Sequence, residues 1–377
     1  MTSDSKNALR VLFIGKRFYT NRDAFTERFG RMYQVPKGWA EAGHDVDLWL
    51  VDYHGRNVES AVDAALKVES TPVFRWRFLV RLITALFGLA RRRRKDVVVA
   101  SGDCYLGLIA YCVARLRGAT FVFDMYDRYD LFAGYRRPLG IDLQDFLLRR
   151  ADLVLFASTL VMEEFGGQVR KAVLVPNGVD TERFQPLPLE ESRRKLGLPE
   201  DEVLVGYFGS MEPDRGISDL IDAVRSLFES GMNVRLLVGG RENPDISLDH
   251  EWVLYLGNLD FARMPAALSS CDVLALPYRQ SDFMDSGASC KIAEYIAAGR
   301  PVVATRTPNL MNNFPEQAAQ LDDMLAQPGD AKDLERCILG QLSERRLVGL
   351  PKCVSWSEIS RRALTSLEAK RTAEKAG

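Results

Sequence analysis

The sequence predicts an α/β protein made of two doubly wound, Rossmann-like domains with parallel sheets. Three observations lead there. Short apolar runs alternate with helical patterns almost throughout, and strands apolar on both faces belong to parallel sheets covered by helices. The runs fall into two sets, parted by turn signals at residues 175–180. At 377 residues the chain exceeds the usual size of a single core, so two domains are expected.

The first set of strands is read at residues 11–14, 46–51, 97–100, 121–123, 153–156 and 173–175. Pro176 and Asn177-Gly178 then interrupt the pattern. Residues 184–199 are proline-bearing and charged, as suits a linker. The second set is read at residues 203–208, 234–238, 252–255, 273–276 and 302–304. Right-handed crossovers between such strands give doubly wound units. The expected domains are residues 1–178 and 179–355. A charged C-terminal helix over 356–377 follows, starting at Trp356 and fraying at its end.

Composition excludes several classes. Apolar content of 47% and charged content of 27% are those of an ordinary globular protein. A formal charge of -1 argues against a general nucleic-acid binder. The cysteines Cys104, Cys112, Cys271, Cys290, Cys337 and Cys353 are scattered, and the histidines are His44, His54 and His250. No metal site is therefore expected, and free thiols suit a reducing compartment. The first ten residues are polar and lack the apolar centre of a signal peptide. No run reaches a membrane span. A cytoplasmic protein is expected. The fingerprint Gly-x-Gly-x-x-Gly is absent after both first strands, and no phosphate-loop motif Gly-x-x-x-x-Gly-Lys-Ser/Thr occurs, which argues against a dehydrogenase and a P-loop NTPase.

The most informative stretch is residues 287–305. Gly287, Ala288, Ser289 and Cys290 form a small-residue loop, a short helix follows from Lys291, Gly299 stops it, and a buried strand comes after Pro301. Gly299 is expected at the left-handed C′ position. Ser286 and Ser289 are candidate caps. Free N–H groups, the dipole and Lys291 would then meet an anion, with Glu294 one turn further in. The alternative is an ordinary helix with a surface Lys and Glu. Two more loops follow strands in this half. One runs from Gly209 and Ser210 to Arg215 and Gly216, and the other is Gly239-Gly240-Arg241. Glycine after a strand is most often a tight turn; three such loops, each with a cation, point to a polyphosphate.

In these motifs the chain resembles the GT-B glycosyltransferases of the family-four retaining group, glycosyl transferases group 1. The resemblance spans nearly the whole length. Besides those motifs, it is carried by Pro176-Asn177-Gly178-Val179-Asp180, Leu256-Gly257-Asn258, residues 272–277 and Gly43-His44-Asp45-Val46. It implies two Rossmann-like domains facing a cleft, with the nucleotide sugar mainly on the second domain and the acceptor mainly on the first. It also implies no metal, retention of anomeric configuration, and a C-terminal helix that returns to the first domain. The family's Glu-x7-Glu places its second, ribose-binding glutamate on Glu294. Its first glutamate falls on Ser286, beside Asp285. The family's Arg and Lys in the glycine loop fall on Ser210 and Arg215, and a first-domain histidine falls on Tyr126.

A leaving diphosphate needs fixed positive charge when no metal helps. Arg215 and Lys291 are the candidates, with the amides near Ser289. Glu294 is expected at the ribose, and Asp285 or Ser286 at sugar hydroxyls. By family analogy a donor phosphate oxygen accepts the acceptor's proton. Asp127 is an acceptor-side base or hydroxyl clamp, or else a loop acid bonding local backbone. Arg17 and Arg22 either bind acceptor phosphate or are simply solvated. Residues 74–95 carry Arg75, Arg77, Arg81, residues 91–94 and Lys95 without one acid. They read either as a basic helix on an anionic membrane surface, which would favour a lipid-linked acceptor, or as a sheet-packing helix whose basic end suits its dipole. The expected partners are a nucleotide sugar and a glycan or lipid-linked acceptor, and the expected setting is surface polysaccharide or glycolipid assembly. Two alternatives stand beside the transferase: a nucleotide-sugar epimerase of the same architecture, and a degenerate transferase acting as a scaffold.

Overall fold

Alternation along β1 (Arg10–Lys16) shows how the first sheet is built. Val11 and Phe13 enter one apolar cluster, Leu12 and Ile14 another, because successive side chains of a strand point to opposite faces. The computed structural model describes residues 8–19, 22–55, 57–73, 95–132 and 134–376. It divides into two compact units, Met1–Gly178 with Ser355–Gly377, and Val179–Val354.

In the first unit, β2 (Phe18–Tyr19) and β3 (Arg22–Asp23) form a small hairpin. The remaining strands are β4 (Asp45–Asp52), β5 (Glu59–Asp63), β6 (Leu66–Pro72), β7 (Val97–Ser101), β8 (Thr120–Met125), β9 (Leu153–Phe156) and β10 (Ala172–Leu174). With β1 they form one sheet in the order β10-β9-β8-β7-β1-β4-β6-β5. Only β5 runs antiparallel to its neighbour. Helices α1 (Gly30–Glu41), α2 (Cys104–Arg117), α3 (Leu143–Arg150) and α4 (Thr159–Phe165) connect them. The C-terminal helix Trp356–Ala376 belongs to this unit: Ile359, Ala363 and Leu367 share a core with Trp39. It approaches α1 closely at Gly38, where a Cβ would meet the Ser360 hydroxyl at 2.3 Å. Trp39 donates to the Ser360 carbonyl at 2.9 Å.

The edge strand β5 and its neighbour β6 were not foreseen among the apolar runs. β5 is mostly exposed; β6 alternates buried with more open positions over its first four residues, as a strand with one wet face does, and ends buried. A second feature absent from the sequence reading is a buried ion pair. Arg31, in the first turn of α1, meets Asp124 near the end of β8 through contacts of 2.6–3.0 Å, both side chains 1% exposed. The same guanidinium donates to the carbonyls of Val175 and Pro176, and Ser101 donates to Asp124. One group thus ties helix, strand end and chain exit together.

The second unit has β11 (Val203–Phe208), β12 (Val234–Gly239), β13 (Val253–Tyr255), β14 (Val273–Leu276), β15 (Val302–Thr305) and β16 (Leu325–Ala326). Their order is β13-β12-β11-β14-β15-β16, all parallel. The winding reverses between β11 and β14, and open sheets bind ligands beyond the carboxyl ends of strands at such a point. The helices are α5 (Leu189–Leu196), α6 (Ile217–Glu229), α7 (Met264–Ser269), α8 (Asp282–Ser286), α9 (Lys291–Ala297), α10 (Pro308–Asn313), α11 (Pro315–Leu321) and α12 (Ala331–Glu344). Gly299 follows α9 at φ +67°, the left-handed stop that the sequence indicates. Among the described residues no helix is long and apolar enough to cross a membrane.

Two outcomes are expected. Arg31→Met strands a buried carboxylate, and breaking such a pair costs roughly 3–5 kcal/mol. Thermal unfolding of the variant should fall by on the order of 10 °C; an unchanged midpoint would contradict the pair's role. Burial holds His44 below its ordinary value of 6.5, with Glu368 opposing, and its Nδ1 accepts from the Leu9 N–H at 3.0 Å. The unfolded chain therefore takes up a proton that the folded His44 refuses. This contribution is intact above about pH 6.5 and is lost as pH falls toward the folded value. His44→Gln should flatten the acid-side decline of the melting temperature, as a pH series on both proteins would reveal.

Candidate functional site

The site of the second unit starts from backbone lying against backbone. Gly240 has φ +139°, and a Cβ there would sit 1.9 Å from the Gly209 carbonyl oxygen. Gly209 in turn donates to the Gly239 carbonyl at 2.9 Å. Gly216 has φ +67°, and its Cβ would lie 1.7 Å from the Pro277 carbonyl oxygen. The loops after β11, β12 and β14 are thereby pressed together at the reversal point. Lys291 reaches the same place. Its Cε lies 3.2 Å from where Gly209 would carry a Cβ, beside the Tyr207 hydroxyl, also at 3.2 Å.

Arg215 ends the single turn Pro213–Arg215, which Pro213 opens and left-handed Gly216 closes before α6 begins. Its guanidinium lies over the Tyr278 ring, 5.2 Å from the centroid. Burial works against its charge, but Tyr278, Tyr207 and Asp214 more than offset this, and its pKa is held above the ordinary arginine value. Tyr207 is fully buried and donates to the Ser210 carbonyl at 2.6 Å. The backbone around Arg215 is anchored by Arg279, whose N–H donates to the Asp214 carbonyl and whose guanidinium grips Asp219 through two bonds. Tyr295, buried on α9, accepts from the Phe208 N–H at 2.8 Å and so joins β11 to that helix.

Residues 281–294 depart from the expected capping. Ser281 caps α8 by accepting from the Met284 N–H. Ser286 lies inside α8 and donates back to the carbonyls of Asp282 and Phe283, so it does not cap α9. Ser289 lies nearer, its Oγ 3.5 Å from the Lys291 nitrogen and 3.4 Å from the Tyr278 hydroxyl. The half-buried loop of Gly287, Ala288 and Ser289 is held from below. Asn309 donates to the carbonyls of Met284 and Gly287 at 3.0 and 2.8 Å, and Asn313 donates to Gly287. Glu294 follows Lys291 by one turn, with the Cys290 sulfur 3.8 Å from its Oε1. Burial and Glu294 push the Cys290 thiol up. Burial and Asp282 raise the Asp285 carboxyl above its ordinary value, against a lowering bond from the Ser281 backbone. The Asp285 Oδ1 is buried without a hydrogen-bond partner.

In the first unit, Arg17 proves neither solvated nor available for an acceptor phosphate. It is 6% exposed, and its guanidinium is taken up by Asp23, Asp52, Glu59 and Ser70. Arg22 pairs with Glu27 and lies over the Phe29 ring. Tyr126 sits between the rings of Tyr19 and Tyr129, with its hydroxyl 3.4 Å from the Gly102 carbonyl. Burial, then Asp127, raise its pKa well above the usual phenol range. Asp127 accepts the Arg128 N–H at 3.0 Å, which is the local-backbone alternative foreseen for it. Of the basic stretch 74–95, residues 74–94 lie outside the described residues. Lys95 is buried against Asp47 at 2.9 Å, so it presents no charge to a surface.

Sequence reasoning missed Tyr207, Tyr278, Tyr295, Asn309 and Arg279. Tyr295 carried a signal, because it falls on the apolar face of α9 with Ile292 and Ile296. The others act through contacts between segments distant in sequence or with loop backbone, which periodicity does not reveal.

Two family descriptions match the chain: "Glycosyl transferases group 1" over residues 202–344, and "Glycosyl transferase 4-like domain" over residues 31–178. The chain belongs to this glycosyltransferase family. This glycosyltransferase is 24% identical over 285 residues to 2-deoxystreptamine glucosyltransferase of Streptomyces kanamyceticus, covering 69% of the chain and 72% of that protein. It is also 24% identical to the GDP-mannose-dependent monoacylated alpha-(1-6)-phosphatidylinositol monomannoside mannosyltransferase of Corynebacterium glutamicum, covering 80% and 83%. In fold it is similar to sucrose-phosphate synthase from Thermosynechococcus elongatus, at a TM-score of 0.72 and 17% identity over 98% of the chain and 100% of that one. Anabaena HepE, solved with UDP and glucose, gives 0.68 at 15% identity over 96% and 99%. These neighbours have the GT-B fold. The epimerase and scaffold alternatives are not favoured by these findings.

Gly216→Ala should displace the Arg215 turn, because a backbone carbonyl occupies the space and the left-handed φ adds strain. A loss of roughly 1–3 kcal/mol is expected, read as a lower melting temperature. A variant as stable as the parent would refute the close approach.

Proposed function

We propose that the glycosyltransferase holds a nucleoside-diphosphate sugar on its second unit and transfers the sugar, with retention and without a metal ion, to a hydroxyl of a glycan or lipid-linked saccharide. One observation carries this reading: Lys291 is laid across Gly209 at the sheet's reversal point, with Arg215 in the adjoining loop. Two fixed cations there suit a diphosphate, and the glycines allow it to approach the backbone. Glu294, one turn along α9, is assigned the ribose hydroxyls. Asp285, with its orphaned Oδ1, is a better candidate for sugar hydroxyls than Ser286, whose proton is engaged within α8.

In this mechanism the bond from the anomeric carbon to the phosphate oxygen breaks, and its electron pair leaves with the diphosphate. The acceptor oxygen bonds the same face of that carbon, and its proton passes to a phosphate oxygen. Lys291 and Arg215 stabilise the charge that develops on the leaving group, which is where fixed donors contribute most. No protein base is then required. Asp127 and Tyr126 are assigned to orienting the acceptor, with Arg22 nearby in the same aromatic group; Arg17 is removed from that role.

The relatives' names support surface-glycan or glycolipid assembly as the setting. Peripheral attachment at the inner face of the membrane through residues 74–94 belongs to this proposal as well, supported by their basic and apolar composition alone. Flotation with anionic vesicles tests it, and recovery of all the protein at the bottom of the gradient would remove it.

Lys291→Ala and Arg215→Ala should each lower kcat/KM by about 10²–10³-fold, the usual effect of removing one preorganised donor, with little change in melting temperature. Activity of the parent should survive EDTA, and the product should keep the donor's anomeric configuration by NMR. Thermal-shift screening of UDP, GDP, ADP and TDP sugars identifies the donor: one present at ~100 times its dissociation constant adds about 2.7 kcal/mol of stability. Full activity of Lys291→Ala would overturn the assignment.

A further inference from the structure

Tyr278 follows β14 at the reversal point, is 6% exposed, and belongs to no motif discussed above. Its backbone is fixed, since its carbonyl accepts the Thr305 hydroxyl at 2.6 Å. Its side chain touches two loops at once. The Arg215 guanidinium lies over its ring, 5.2 Å from the centroid. The Tyr278 hydroxyl is 3.4 Å from Ser289 Oγ, which in turn is 3.5 Å from the Lys291 backbone nitrogen.

The donor inventory limits how this chain can run. The Lys291 backbone N–H can only donate, so the Ser289 oxygen accepts from it. Either hydroxyl of the Tyr278–Ser289 pair can donate; when the phenol does, it and the Lys291 backbone N–H fill both acceptor positions of the serine oxygen. In that arrangement the Ser289 proton is left for a ligand. We propose that Tyr278 is a positioning residue that fixes Arg215 and, through its hydroxyl, turns the Ser289 proton toward a phosphate oxygen of the donor. This deepens the donor-site reading and rests on it. Where the resemblance expects a further arginine, this chain has Ser210, whose carbonyl is bonded by Tyr207. With one cation fewer, the orientation of the remaining donors decides more of the anion's stabilisation.

The test is a double-mutant cycle with Tyr278→Phe and Ser289→Ala on the full chain. The phenylalanine keeps the ring under Arg215 and removes only the hydroxyl. Calorimetry is run with UDP, GDP and ADP, and with uridine, guanosine and adenosine as controls. For the diphosphate that the parent binds, each single variant should weaken binding about tenfold, close to 1.4 kcal/mol. Nucleoside affinity and melting temperature should stay as in the parent. The double variant should be no worse than Ser289→Ala, since both changes cut one chain. Penalties that add, equal losses for nucleoside and diphosphate, or an unchanged Tyr278→Phe would each overturn the role of Tyr278 while leaving the donor site standing. If Tyr278→Phe does not fold, Ser289→Ala decides by itself, and unchanged diphosphate affinity refutes the relay. A parent protein that binds none of the three diphosphates removes the donor-site reading and this inference together.

Discussion

At the reversal point of the second sheet, the Gly209 carbonyl occupies the space in which residue 240 would carry a side chain, and the Pro277 carbonyl does the same at residue 216. Nearly everything assigned to that unit depends on these approaches. They bring the ends of β11, β12 and β14 within reach of one another. They also leave a floor of bare backbone over which the Lys291 side chain can lie. A methyl group at either glycine would push one loop away from the next and separate the cations.

The two units use arginine after their first strand in opposite ways. Arg17 is surrounded by Asp23, Asp52 and Glu59, and its charge is neutralised within the fold. Arg215 lies over the Tyr278 ring, with Tyr207 and Asp214 nearby. An aromatic face orients a cation without cancelling it, so its field is still available to an anion. The same side chain is thus structural in one unit and suited to a ligand in the other. The difference lies in which neighbours the sheet brings to it. Arg31 is a further case: buried with Asp124, it binds α1 to β8 and to the exit of the chain.

Much of the fold was legible because the central strands are apolar on both faces. β9, β11 and β14 coincide with runs visible in the sequence. The edge strand β5 and its neighbour β6 were not legible, since polar side chains break the run. In the site, Lys291, Glu294 and Gly299 could be read because helix spacing and a glycine stop are local features. The capping by Ser286 was misjudged for the opposite reason. The extra short helix Asp282–Ser286 turns its hydroxyl inward, and no local pattern announces that helix. Asn309 and Asn313 hold the Gly287 loop from more than twenty residues away, and such support leaves no trace in spacing.

By itself, then, the order of residues determined the α/β class, the positions of the buried strands, the glycines that only a left-handed or crowded backbone requires, and the family to which the chain belongs. These follow from side-chain polarity and backbone sterics, which act over a few residues. Tertiary structure alone decided which charges are neutralised and which stay exposed to a ligand. It closed Arg17 with carboxylates, set Arg215 against tyrosines, and brought Tyr278 to Ser289. Electrostatic and hydrogen-bonding partners are chosen by distance in space, and that distance exists only once both loops have met across the sheet.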